Sequence, residues 1–219
     1  MPFVRRFLTA LMFLATTASA QDFQAGRDYL VLPSPQPVDT GKKVEVIEFF
    51  HYACPHCNVL EPKLMAWVKK QGDNIVLKRV HVQWREDFIP QQRLYYTLES
   101  LGELPRLHDK VFHALHVERQ RLNRDEIVFD WVAKNGVDRS KFSDTYRSFG
   151  VQAKVHRAST LMQNYSVDFW PNIIIDGKYQ TSPSQAGAHI RPALNEDQQV
   201  DRALAVMDML VAKAKAEKK

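Results

Sequence analysis

Apolar and β-branched residues dominate the stretch Val44-Glu45-Val46-Ile47-Glu48-Phe49-Phe50, which predicts a buried strand. A shorter apolar run, Tyr29-Leu30-Val31-Leu32, predicts another strand before it, and the Pro-rich segment 33–37 a loop between them. From residue 54 to about residue 70 the spacing changes. Val59, Leu64, Met65, Trp67 and Val68 suit a helix, which Pro62 should kink. Gly72-Asp73-Asn74 then predicts a turn and residues 75–82 a further strand. This is a strand–helix–strand order, the plan of a parallel unit.

Between residues 90 and 165 the pattern is helical throughout. Pro90 suits a first helical turn, and that helix should stop near Gly102. A second helix is expected over about 104–118. A third is announced by Asn123-Arg124-Asp125-Glu126, read as a capping box, and ends at Asn135-Gly136. Shorter helices are expected over 140–149 and 151–164. Strand character returns at Asn172-Ile173-Ile174-Ile175, and Asp176-Gly177 predicts a tight hairpin into Lys178-Tyr179-Gln180. A last helix is expected over about 196–216. An all-helical block thus interrupts two strand-forming halves.

The first twenty residues fall outside this pattern. Arg5 and Arg6 precede an apolar run over 7–15 and the small residues Ala18-Ser19-Ala20, the three-part plan of a secretory signal cleaved after Ala20. The apolar run is well short of the roughly 20 residues needed to cross a bilayer. The mature chain is therefore expected to be soluble and extracytoplasmic, with about 200 residues forming one domain with an insertion. The formal charge of +5 includes Arg5 and Arg6, so about +3 remains after cleavage. No dense basic stripe with interleaved aromatics appears, so nucleic-acid binding has little support.

Of 219 residues only two are cysteines, Cys54 and Cys57, in a chain directed to where disulfides persist. The predicted strand–helix junction puts Cys54 at the first turn of a helix. There, unpaired N–H groups and the positive end of the dipole would stabilise a thiolate. His56 adds a cation or N–H donor nearby. A stabilised thiolate makes the disulfide easier to reduce, so the oxidised pair would donate itself to other thiols. Cys54 is the expected attacked sulfur and Cys57 the more buried partner. Competing readings are a structural disulfide, which normally closes a longer loop, and a zinc site with His108 and His113, which lie far from the cysteines in sequence. Haem attachment is excluded because Asn58, not His, follows the second cysteine.

Across Phe49-Phe50-His51-Tyr52-Ala53-Cys54-Pro55-His56-Cys57 the sequence resembles the DsbA family, periplasmic disulfide-donating oxidases of Gram-negative bacteria. The resemblance implies an α/β, thioredoxin-like fold with an inserted all-helical domain. Residues 21–85 and 166–219 would form the thioredoxin-like part, residues 86–165 the insertion, and residues 1–20 the signal. A strongly acidic cysteine and an oxidising disulfide are properties of that family, and the resemblance implies both for Cys54 and the Cys54–Cys57 pair. It also implies a cis proline at Trp170-Pro171 beside the active sulfur, where substrate would pair with the backbone. Trp170 departs from the small or β-branched residue usual there, which bears on substrate choice and redox poise. Glu48, Glu61 and Arg79 match the family's buried charge network below the second cysteine.

The resulting expectation is a thiol:disulfide oxidoreductase with catalytic Cys54, Pro55, His56 and Cys57, and with Pro171 and Trp170 in substrate binding. Its substrates would be reduced exported proteins. The resemblance implies reoxidation by a quinone-linked membrane protein of the DsbB type, and no bound cofactor or metal. Nothing in the sequence suggests an oligomer, so a monomer is expected. A disulfide isomerase or reductant of the same fold, or a redox-switched, chaperone-like binding module, are the alternatives.

Overall fold

The computed structural model describes residues 22–218; the expected signal at residues 1–20 lies outside them. The elements in chain order are β1 (Leu30–Val31), β2 (Val44–Phe50), α1 (Pro55–Gln71), β3 (Ile75–His81), α2 (Ile89–Leu101), α3 (Leu104–His116), α4 (Asp125–Lys134), α5 (Arg139–Tyr146), α6 (Phe149–Asn164), β4 (Asn172–Ile175), β5 (Tyr179–Thr181), α7 (Pro183–Gly187) and α8 (Glu196–Glu217). The strands form one sheet in the order β1-β5-β4-β2-β3. Strand β2 runs parallel to β3 and antiparallel to β4, and β5 runs antiparallel to both β4 and β1. This is a thioredoxin-like sheet, with five helices inserted between β3 and β4.

Alternation along the central strands assigns each side chain to one of two cores. Val44 and Val46 of β2 and Ile173 and Ile175 of β4 pack with Leu60, Leu64 and Trp67 of α1 and with Val206, Met207 and Leu210 of α8. The intervening Ile47, Phe49 and Ile174 face the inserted helices, where they join Leu94, Leu98 and Ala158. Truncating the fully buried Leu64 to Ala would cost about 2–5 kcal/mol. The same alternation puts Glu48 on the face of Val44 and Val46, under α1. Charge thus enters an otherwise apolar layer.

Local chemistry sets the boundaries. Helix α1 starts at Pro55, whose fixed φ suits a first turn, and its cap residue Cys54 is extended (φ −80°, ψ 118°) as a residue before proline should be. The helix runs on through Pro62. Asp176 and Gly177 both have positive φ, 50° and 65°, the backbone of the tight hairpin turn. A Cβ on Gly177 would sit 2.2 Å from the Gln36 carbonyl oxygen, so only glycine fits. The capping box expected at residues 123–126 does not form. Helix α4 begins one residue later with Arg124 as its cap, and no side chain caps it, because arginine carries no acceptor. The reciprocal box occurs instead on α8. There Asn195 Oδ1 accepts the Gln198 N–H at 2.9 Å, and Gln198 Oε1 accepts the Asn195 N–H at 3.0 Å.

Candidate active site

Strand β2 ends against α1, and the turn between them carries the cysteines. The His51 carbonyl accepts the Cys54 N–H at 3.0 Å, and the Ala53 N–H donates to His51 Nδ1 at 2.9 Å. His81 on β3 accepts the Tyr52 N–H through Nε2 at 3.2 Å, while its Nδ1–H donates to the Val82 carbonyl. Burial holds His51 down to about 4 and His81 well below the ordinary histidine range. Both are neutral braces of the turn.

Cys54 and Cys57 are both thiols here. Cys54 retains 7% of its surface and Cys57 none, so only Cys54 offers an incoming sulfur a route. Cys54 Sγ is the N-cap acceptor of α1, taking the Cys57 N–H at 3.4 Å. Its pKa is lowered to about 7, first by the hydrogen bond from the Cys57 thiol. The backbone N–H groups of Cys57 and His56 and the charge of His56 add to this, against the cost of burial. Burial pushes Cys57 well above the ordinary thiol range, and the facing charges of Cys54 and Glu48 push it further. The pair is electrostatically split into one acidic and one basic sulfur.

The His56 imidazole does not turn to the sulfur. Its Nδ1 lies 2.5 Å from Glu196 Oε1 in the first turn of α8, and this carboxylate raises its pKa. Sequence reasoning missed Glu196, which is distant along the chain and signalled only by its place at a helix start.

Beside Cys54 stands the Trp170–Pro171 bond, in cis. The Cys54 thiol donates to the Trp170 carbonyl at 3.8 Å. The Trp170 ring lies 6.1 Å from that of Trp84, which in turn stacks on Phe88 at 5.5 Å. Trp84 is 52% exposed. Pro171 and Trp170 also line a cavity of about 250 Å³ with His56 and Glu196.

Beneath the cysteines, Glu48, Glu61 and Arg79 meet. In the β2–β3 register Glu48 stands opposite Arg79. Arg79 Nε donates to Glu48 Oε2 at 2.9 Å and Nη2 to Glu61 Oε1 at 2.7 Å. One guanidinium serves two carboxylates, and their pKa values divide. Burial, with the charge of Glu61, outweighs Arg79 and raises Glu48 to about 7. For Glu61, burial is outweighed by His108 and Arg79 together, so its pKa is lowered. His108, which the sequence offered only as a ligand in the zinc alternative, joins them. Its Nε2 lies 3.5 Å from Glu61 Oε1 and its Nδ1 is 2.8 Å from the Tyr52 hydroxyl. The signal available was a histidine on the buried stripe Leu107, Val111 and Phe112 of α3. His113, its supposed companion as a zinc ligand, is instead at the surface with Glu118 at 3.1 Å.

A helix-capped acidic thiol, a buried basic thiol and a carbonyl beside the first form a site for thiol–disulfide exchange. Comparison with known proteins agrees. A family model described as Thioredoxin matches residues 39–191. The thiol:disulfide interchange protein DsbA of Burkholderia cepacia is 44% identical over 73% of this chain and 76% of its own length. That of Bordetella parapertussis is 43% identical over 86% of this chain and 91% of its own. The crystal structure of Pseudomonas aeruginosa DsbA superposes with a TM-score of 0.80 at 32% identity, covering 90% of this chain and 97% of that one. The chain belongs to the DsbA family of thiol:disulfide interchange proteins and is a thiol:disulfide oxidoreductase.

Proposed function

We propose that the chain is a protein disulfide oxidase that donates the Cys54–Cys57 disulfide to reduced, newly exported proteins. The observation that carries this reading is the asymmetry of the two sulfurs: Cys54 Sγ caps α1 and keeps a route to solvent while Cys57 is fully buried, which lowers the Cys54 pKa to about 7 and raises that of Cys57. A substrate thiolate attacks Cys54 Sγ, the Cys54–Cys57 bond breaks, and its electron pair passes to Cys57. The basic Cys57 sulfur takes up a proton, for which Glu48, raised to about 7, is the facing donor. A second substrate thiolate then attacks the substrate sulfur of the mixed disulfide and expels Cys54 as a thiolate. The substrate has gained a disulfide and the pair has gained two electrons. Cys54 is the better leaving group because its thiolate is the more stable.

On this reading Pro55 sets the helix start and His56 contributes its backbone N–H and its charge. Pro171 and the Trp170 carbonyl, beside Cys54 at 3.8 Å, offer an extended substrate a main-chain partner. Arg79 and Glu61 hold the charges that let Glu48 carry a proton. Residues 21–85 and 166–219 are the catalytic unit and residues 86–165 the insertion. Residues 1–20 direct export to the periplasm, where a DsbB-type quinone-linked membrane oxidase reoxidises the monomeric protein.

The test is turnover. With oxidised glutathione as terminal oxidant, catalytic amounts of the mature protein should convert a reduced, unfolded disulfide protein to its oxidised form, and Cys54→Ser should abolish this. Affinity for the unfolded chain without turnover would instead make the pair the switch of a binding module.

A further inference from the structure

The two flanks of Cys54 differ in how their charges are balanced. On the α8 side stands Glu196, paired to His56. On the insertion side, a cavity of about 410 Å³ opens directly beside the active-site turn at Ala53, with Arg85, Asp87, Gln91, Arg119 and Arg121 in its wall. Asp87 is its one acidic residue, and Arg85 already holds it at 2.5 Å. Among the described residues no carboxylate lies within ion-pair distance of Arg119 or Arg121, and both are exposed. Their neighbour Glu118 pairs instead with His113. The cavity therefore carries uncompensated positive charge.

This loop has a fixed shape. Leu122 is fully buried, and Arg119 and Leu122 both hold positive φ, 58° and 43°, which non-glycine residues adopt only where the surroundings impose it. The Gln91 amide donates to the Arg121 carbonyl at 2.9 Å. That donor fixes the orientation of the amide and leaves Gln91 Oε1 buried with no partner among the described residues, on a side chain 1% exposed.

We propose that this cavity is a docking subsite for the acidic flank of a substrate polypeptide. Aspartate or glutamate residues near the substrate cysteine bind the exposed guanidinium groups of Arg119 and Arg121. The inference rests on the oxidase reading above and adds to it a preference and a direction. The acidic side of the substrate cysteine lies toward the insertion, away from Glu196.

The experiment uses three reduced single-cysteine peptides whose flanks carry glutamates, lysines or only neutral residues. Each reacts with the oxidised mature protein, and each rate is divided by that peptide's rate with a neutral small disulfide, because flanking charge also shifts the peptide's own thiol pKa. The glutamate peptide should react about fivefold faster than the lysine peptide at low ionic strength, with the ratio falling toward one in high salt. The double variant Arg119→Asn, Arg121→Gln should collapse the ratio at low salt; asparagine tolerates the positive φ at 119. A ratio at or below one in the unaltered protein, or one indifferent to salt, would overturn the subsite without recourse to any variant. Oxidation of the neutral peptide separates the two claims. If it proceeds without charge preference only the subsite fails, and if it does not proceed at all the oxidase reading fails.

Discussion

Glu48→Gln should make the protein more stable than the unaltered form above pH 7, although it removes a charged partner of the half-buried Arg79. The Glu48 carboxyl is fully buried, and its pKa rises from an ordinary 4.5 to about 7. The folded state therefore keeps this proton up to a higher pH than the unfolded state does. The stability this contributes is fully present below pH 4.5 and is lost as pH rises through 7. At about 1.4 kcal/mol per unit, the shift corresponds to ~3 kcal/mol. Glutamine cannot titrate, and its side-chain oxygen can still accept the Arg79 Nε–H that Glu48 now takes at 2.9 Å. The acid limb caused by neutral His51, held down to about 4, is common to both proteins and cancels in the comparison. Urea unfolding of both reduced proteins between pH 4.5 and 8 should show the variant gaining roughly 3 kcal/mol on the unaltered protein across that range. A difference that stays constant with pH would refute the raised carboxyl. An unchanged reduction potential and Cys54 titration in the same variant would leave Glu48 without a part in exchange.

Two further outcomes follow from the same electrostatics. Alkylation of the reduced protein by iodoacetamide should rise with a midpoint near pH 7 at Cys54 and spare Cys57; equal labelling, or an ordinary thiol midpoint of about 8.5, would contradict the split. Glu196→Gln should let the His56 titration, followed by NMR, fall from its raised position toward the ordinary histidine value. An unmoved titration would mean that Glu196 does not hold the ring.

Much of the fold was legible because local and global preferences agree. Strand β2 was readable from its apolar run, α1 from its apolar spacing, and the hairpin from Asp176-Gly177. The charge network was legible only through the resemblance. Glu48 and Arg79 look like ordinary strand residues until the parallel register sets them opposite each other. Glu196 and His108 reach the site from α8 and α3, and no local pattern encodes such long-range contacts. The short helix α7 and the second cis bond at Arg191–Pro192 were not anticipated. The capping box at residues 123–126 failed because residue preferences at a helix start leave its position uncertain by a residue.

If the stabilised Cys54 thiolate makes this pair a disulfide donor, its redox poise must be oxidising. The most direct measurement is the equilibrium reduction potential of the Cys54–Cys57 pair, titrated against glutathione on the mature protein. A disulfide donor should show a potential well above the roughly −270 mV of thioredoxin. A potential at or below that of thioredoxin would contradict it and place the chain among the reductants.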